Sequence, residues 1–189
     1  MKTCLQVLGA MLVILAFASC SDTEITPQED AQQYSRFHGK YKIVRSTSSE
    51  AVDINRDGKA STDLLQEIGL LSDAELEIRI PLPAYNPDGV LPTFTQFWEQ
   101  QFLSTANADT VINYATQGVV RYFTFSSVDS LQIVPDEQQV DAMLFPLPDV
   151  VTIQDSDQIK VVMHKQLFTS SGWKAVTITT LYKRYTMAT

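Results

Sequence analysis

The sequence is poor in the residue types on which most catalytic and metal sites depend. Its 189 residues include two cysteines, two histidines and seven glycines. Because the chain has two histidines, His38 and His164, a metal site built from three or more histidines is excluded. The chain also has no glycine-rich phosphate loop and no Gly-x-Ser-x-Gly nucleophile motif. We therefore predict that the protein is not an enzyme.

Basic residues are scarce as well. The chain has 14 Lys and Arg against 22 Asp and Glu, which gives a formal net charge of −8. Neutralising the phosphates of a nucleic acid requires a basic patch, and this balance argues against one. It equally disfavours attraction to anionic lipid headgroups. We predict no nucleic-acid partner and no electrostatic membrane contact.

The longest apolar run lies at the start of the chain. Residues 1–3 carry one positive charge, residues 5–17 are almost entirely apolar, and small residues follow. This is the layout of a secretory signal peptide, and the run is short for a membrane span. The sequence Phe-Ala-Ser-Cys at residues 17–20 resembles the lipobox of bacterial lipoproteins, with phenylalanine at the usual leucine position. That resemblance implies a signal peptide over residues 1–19 and lipidation of Cys20.

The position of the cysteines supports a lipid anchor. Cys4 lies inside the predicted leader, so the mature chain keeps Cys20 alone and cannot form an internal disulfide. A diacylglycerol plus an amide-linked acyl chain exceeds what stable anchoring needs. We therefore predict a protein of the cell envelope, held in the outer membrane at its periplasmic face or on the cell surface.

The mature chain divides into a tether and one domain. Residues 20–33 are polar and acidic, which predicts a flexible tether, and residues 34–189 have the length of a single domain. Residues 21–24, Ser-Asp-Thr-Glu, are similar to the acidic export signals of surface-displayed lipoproteins, but an ordinary solvated linker fits them equally well.

The folded part has the pattern of a β protein. Leu76, Ile78 and Ile80 alternate with charged residues, and residues 157–168 and 173–185 predict a terminal hairpin. A second predicted hairpin has its turn at residues 116–118. Seven or eight strands with one or two short helices predict an all-β, mostly antiparallel fold. We expect an up-and-down β-barrel, with a β-sandwich as the alternative.

The most distinctive internal motif is an oxygen-rich loop with glycine at its sixth position, Gly58. Its spacing resembles the opening of an EF-hand or dockerin calcium loop, with Leu64 where a bidentate carboxylate belongs. A capped turn before a short helix at residues 63–68 explains the same residues without metal. Calcium therefore stays one of two interpretations. The candidate ligands are Asp53, Asn55, Asp57, Lys59, Ser61 and Asp63.

The loop and the strand before it together resemble a known group of proteins. A glycine and an aromatic residue, Gly39 and Tyr41, open the first predicted strand, and the Asp-x-Asn-x-Asp-Gly loop follows. This combination, over residues 37–68, resembles lipocalin-like bacterial lipoproteins. The resemblance implies a barrel with an interior cavity.

Aromatic residues are the candidates to line that cavity. They are Phe97, Trp98, Phe102 and Trp173. Exposed aromatics would form a platform for a small apolar or glycan ligand, whereas buried ones would be core. The apolar, proline-broken residues 141–148 fit either the lip of a pocket or a packed connection. The leading hypothesis is a ligand-binding barrel. The alternative is an interaction module that contacts an envelope protein or a polysaccharide through an exposed face.

Overall fold

A computed structural model describes residues 27–82, 86–106, 109–135 and 144–189. The predicted signal peptide, Cys20 and residues 20–26 of the predicted tether lie outside the described residues. Among the helices of the described part, none combines the length and the apolar character that crossing a membrane requires.

The described chain forms a closed, eight-stranded antiparallel barrel, which confirms the predicted up-and-down architecture over the sandwich. The elements are α1 (Pro27–Phe37), β1 (Gly39–Val52), β2 (Ser61–Asp63), α2 (Leu64–Glu67), a 3-10 turn (Leu71–Asp73), β3 (Glu75–Arg79), β4 (Thr93–Ala106), β5 (Asp109–Ser127), β6 (Ser130–Ile133), β7 (Pro148–Asp155), β8 (Gln158–Thr169) and β9 (Gly172–Thr186). Strands β3 to β9 pair in chain order, and β1 joins β3 to β9. The short β2 pairs with the far part of β1 and is not one of the eight barrel strands.

The first strand closes the barrel because it pairs along both edges. One edge bonds to β3 and then to β2, while the other bonds to β9 from Lys40 to Ser48. A register shift between Ile43 and Arg45 lets two neighbouring residues face outward, after which Ser46 returns to the interior. This bulge explains why the alternation of apolar and polar residues in the first predicted strand is only partial.

The helix α1 seals one end of the barrel, which we call the helix end. Phe37, at its C-terminus, is fully buried in the barrel core. Arg36 forms an ion pair with Asp129 of the β5–β6 turn, and Arg184 of β9 donates a hydrogen bond of 2.8 Å to the Ser35 carbonyl. The structure thus places residues 27–33 of the predicted tether in a helix, with Pro27 at a first helical position that needs no backbone donor.

The opposite end, with the β4–β5 hairpin and the β8–β9 turn, is called the hairpin end. The side chains of Gln101 and the backbone of Phe168 exchange two hydrogen bonds of 2.9 Å, so the hairpin folds over towards β8. The predicted turn at residues 116–118 is wrong, because β5 runs straight through it. A Cβ at Gly118 would lie 2.6 Å from the Phe97 ring, so glycine is placed there for close cross-strand packing rather than for a turn.

Candidate functional site

The barrel interior is apolar near the helix end and polar towards the hairpin end. In β8 every second side chain points inward, and Lys165 occupies this register between Met163 and Leu167 with 6 % of its surface exposed. In β5, Arg121 takes the corresponding place before Phe123 and is 5 % exposed. Two cationic side chains therefore lie inside the barrel wall. The other buried polar residues of this region are Gln96, Glu99, Gln100, Gln101 and Thr169.

Backbone carbonyls of the segment before β7 contact both cations. The Lys165 ammonium donates to the Leu144 carbonyl at 2.6 Å and to Gln100 Oε1 at 3.0 Å, and Arg121 donates to the Phe145 carbonyl at 2.7 Å. The described part of residues 141–148, which begins at Leu144, thus lies against the polar interior. Leu144, Phe145 and Pro146 also line a small cavity there, whereas residues 141–143 lie outside the described residues.

Two small cavities lie at this place. The first, of about 20 Å³, is lined by Trp98, Arg121 and Lys165 among others, and the second, of about 10 Å³, by Glu99 and Trp173 among others. Each has room for one water-sized occupant. A ligand of drug size does not fit around Trp98 in this arrangement.

Burial changes the ionisation of the two cations. Burial, reinforced by the nearby positive charge of Arg121, lowers the pKa of the Lys165 amine to about 8. Burial also lowers the pKa of the Arg121 guanidinium. Buried charges of like sign are costly to fold, and such groups are found preferentially at functional sites.

The structure does not bring the four predicted ligand-binding aromatics together. Trp98 is 3 % exposed and faces the interior, whereas Phe97 lies on the opposite face of β4 over Gly118. Phe102 is half-buried farther along the strand. Trp173 is 44 % exposed and packs edge-on against Phe168, with ring centroids 5.3 Å apart. Only Trp98 and Trp173 line the two small cavities.

The oxygen-rich loop forms a series of side-chain-capped turns. Asn55 Oδ1 accepts the Asp57 amide at 3.0 Å, Asp57 Oδ1 accepts the Lys59 amide at 2.8 Å, and Ser61 Oγ accepts the Asp63 amide at 3.0 Å. Asp63 then caps α2 by accepting the Leu65 amide at 3.1 Å. The interpretation as a capped turn is thus present in the structure, with Asp63 as the cap rather than Ser61 or Thr62.

Two residues in left-handed backbone conformations allow the loop to bend. They are Gly58, with φ of 83°, and Arg56, with φ of 60°. The Arg56 guanidinium lies over the Phe168 ring, 5.2 Å from its centroid, and donates to the Thr110 carbonyl at 3.3 Å. These contacts hold the strained residue in place and tie the loop to the hairpin end.

Calcium binding at this loop stays a prediction. In residues 27–82 and the other described ranges, no group of three acidic, histidine or cysteine side chains stands close enough to hold a metal. Asp53 Oδ1 is nevertheless buried without a hydrogen-bond partner among the described residues. The buried Glu67 carboxylate accepts the Ile54 amide at 2.8 Å, so it stabilises the loop from within.

A larger groove lies at the helix end, between α1, the β3–β4 connection and the end of β5. Its volume is about 400 Å³. Its walls are mostly apolar, and polar groups come from Gln33, Asn86 and Thr124. The apolar lining residues are Ile80, Pro81, Leu82, Val90, Leu91, Pro92, Phe123 and Phe125.

Sequence reasoning missed both the buried cations and the groove. The sequence did contain a signal for Lys165. It lies in a run where every second residue is apolar or small and is expected to face inward, and Lys165 occupies one of these inward positions. The groove had a weaker signal: the four prolines and the Asp-Gly pair within residues 81–92 predict a long loop, but they do not indicate what it packs against. No periodicity in the sequence connects that loop with Phe123 and Phe125 of β5.

Comparison with known proteins gives no match for this chain. No family model matches it, and neither a curated protein nor a solved structure does so. The barrel is therefore defined by its own strand pairing, and the resemblance to lipocalin-like bacterial lipoproteins stays an expectation from the residues.

The buried lysine predicts a particular pH dependence of stability. Folding lowers the pKa of the Lys165 amine from 10.5 to about 8, so its protonated form destabilises the fold most below pH 8, and this cost falls as the pH rises towards 10.5. Relative to Lys165→Met, the wild type should gain about 1 kcal/mol of unfolding free energy between pH 7 and pH 9. Urea unfolding at each pH measures the difference. The buffer salt is gluconate, because its anion is too large to enter the cavity and neutralise the ammonium.

The matched control for this experiment is Lys160→Met, which changes a lysine of the same strand on its outer side. The difference between the wild type and this variant should stay constant over the same pH range. A constant difference for Lys165→Met as well would contradict the buried-charge account.

The calcium prediction has a separate test. If the loop binds calcium, millimolar Ca²⁺ raises the thermal unfolding midpoint of the wild type by mass action and leaves an Asp53→Ala/Asp57→Ala variant unchanged. Mg²⁺ at the same concentration controls for ionic strength. An unchanged midpoint, or an equal rise in the variant, would contradict calcium binding at this loop.

Proposed function

We propose that this protein is a non-catalytic binding protein of the cell envelope, which takes a small apolar ligand in the groove at the helix end. The observation that carries the proposal is the groove itself. Its volume of about 400 Å³ falls within the usual range for small-molecule sites, and its walls are apolar with a few polar groups. The two small cavities beside Lys165 are too small for such a ligand.

The chemistry of the groove favours an apolar ligand over a glycan. Val90 and Leu91 are 59 % and 56 % exposed, so both have apolar surface that a ligand can remove from water. Burying one such side chain contributes about 1.5–3 kcal/mol. Asn86 stabilises the conformation of the β3–β4 connection through two hydrogen bonds with the Val90 backbone. Its Oδ1 accepts from the Val90 amide at 2.6 Å, and its Nδ2 donates to the Val90 carbonyl at 2.9 Å. The proposed site is therefore formed in part before a ligand arrives.

The proposed lipid anchor would keep this groove near the membrane. Cys20 precedes Pro27 by seven residues, which extend over roughly 25 Å at most. The helix that begins at Pro27 contributes Gln33 to the groove wall. With Cys20 lipidated, the helix end and its groove lie close to the lipid surface, where apolar small molecules concentrate.

Binding at the groove is tested with a neutral fluorescent apolar probe, N-phenyl-1-naphthylamine. We expect saturable binding to the purified protein, weakened roughly tenfold or more by Leu91→Asp, because a carboxylate in the wall loses the contact and must be desolvated. Fluorescence titration measures the dissociation constant. Native mass spectrometry of protein purified from its own membrane would then identify the natural ligand.

The matched control is Leu70→Asp, since Leu70 is exposed to a similar degree, 60 %, and does not line the groove. This variant should bind the probe like the wild type. Equal weakening by both substitutions, or no saturable binding at all, would refute the groove as the ligand site.

A second candidate function, an interaction module, is favoured by a different observation. On the outer face of β5, Val120 and Tyr122 are 63 % and 53 % exposed. An apolar strip on a strand is a feature of protein contact surfaces. If Val120→Asp/Tyr122→Asp abolishes association with an envelope partner while probe binding is unchanged, the protein acts through this face instead.

The anchor predicts a biochemical outcome of its own. Metabolic labelling with a fatty acid should mark the wild type and not Cys20→Ser, since the thiol is the proposed point of lipid attachment. The variant should also leave the membrane fraction. A labelled variant, or an unlabelled wild type, would place the protein outside the lipoprotein class.

A further inference from the structure

From the buried polar cluster at the hairpin end, we infer that the barrel holds a small monovalent anion of halide size between Lys165 and Trp98. This site is separate from the groove at the helix end, because the two share no lining residue. It therefore goes beyond the proposed ligand binding and does not depend on it.

The first argument is a count of donors. The Lys165 ammonium has three N–H groups, and the described residues offer it two acceptors, Gln100 Oε1 and the Leu144 carbonyl. The Trp98 indole N–H is buried and has no acceptor within the described part of the chain. Buried donors without partners are rare in folded proteins, and each carries a cost. Trp98 and Lys165 line the same cavity, and the ammonium lies over the Trp98 ring, 6.0 Å from its centroid, so the two donors are close enough for one acceptor to be shared.

The second argument is charge. Among the described residues, no carboxylate lies within 4.0 Å of the Lys165 ammonium. Arg121, from β5, adds a second positive charge to the lining of this cavity. Glu99, from β4, lines the second cavity together with Lys165, but it forms no ion pair with the ammonium and accepts a hydrogen bond from the Thr116 hydroxyl instead. The acceptors that the described residues offer to the Lys165 ammonium are both neutral, so a negative occupant stabilises this buried charge more than a water does.

The third argument is size. The cavity of about 20 Å³ admits one monatomic or water-sized occupant. An organic carboxylate would have to displace Leu144 and Phe145, whose carbonyls are already bound to the two cations. The geometry thus favours a free inorganic anion such as chloride over the head group of a larger ligand.

The chain offers a direct optical probe because it has two tryptophans. In a Trp173→Phe background, Trp98 is the remaining indole, and its burial should protect it from collisional quenching by bromide in solution. Bromide bound beside it would quench with a saturable dependence on concentration, and chloride would compete. Adding Lys165→Met should abolish the saturable component, whereas adding Lys160→Met on the outer side of the same strand should preserve it.

A second measurement does not depend on the folding of the lysine variant. At equal ionic strength, chloride should raise the unfolding midpoint of the wild type over gluconate and over acetate, by about 3 °C or more at saturation. Trp98→Phe, which keeps an aromatic ring and removes the donor, should reduce this rise.

Linear quenching by bromide, or equal midpoints in the three salts, means that the cavity holds water and overturns the inference. A chloride effect that persists unchanged in both Lys165→Met and Trp98→Phe also overturns it, because the anion then binds elsewhere. None of these results bears on probe binding in the groove, so the two proposals fail independently.

Discussion

Closure of the barrel by the pairing of β1 with β9 is the constraint on which the rest of the structure depends. An open sheet of these strands would leave two edges with unpaired backbone groups and one face in water. Once β1 bonds to β3 on one side and β9 on the other, each barrel strand has a neighbour on both sides. Closure also decides which side chains are enclosed, because alternate residues of each strand must then face inward.

This enclosure explains the unequal division of the interior. Near the helix end the inward positions carry large apolar groups, and Phe37 of α1 completes the core. Towards the hairpin end the inward positions carry Lys165, Arg121 and Gln100, which donate hydrogen bonds to the backbone carbonyls of Leu144 and Phe145. Burial of the apolar half stabilises the fold, whereas burial of the charged and polar side chains in the other half costs free energy.

Much of the fold was predictable because β patterns are local. The two-residue alternation in β3 and the hairpin of β8 and β9 follow from apolar spacing and a Ser-Gly turn, and both are present. The predicted turn at residues 116–118 was wrong, because Gly118 serves a long-range contact with the Phe97 ring that no local pattern reveals. The predicted ligand aromatics are separated for a different and local reason: adjacent residues of a strand, such as Phe97 and Trp98, point to opposite faces.

By itself, the sequence determined that the chain is rich in strands and that the Asp53 loop forms turns, since each depends on neighbours within a few residues. It left a barrel and a sandwich as alternatives, and the long-range pairing of β1 with β9 decided between them. The tertiary structure alone decided that Lys165 lies beside Trp98 and that Leu91 and Phe123 share a groove. Those contacts join residues of distant strands and loops, and their distances are set by the stagger and closure of the barrel, which a linear pattern does not encode.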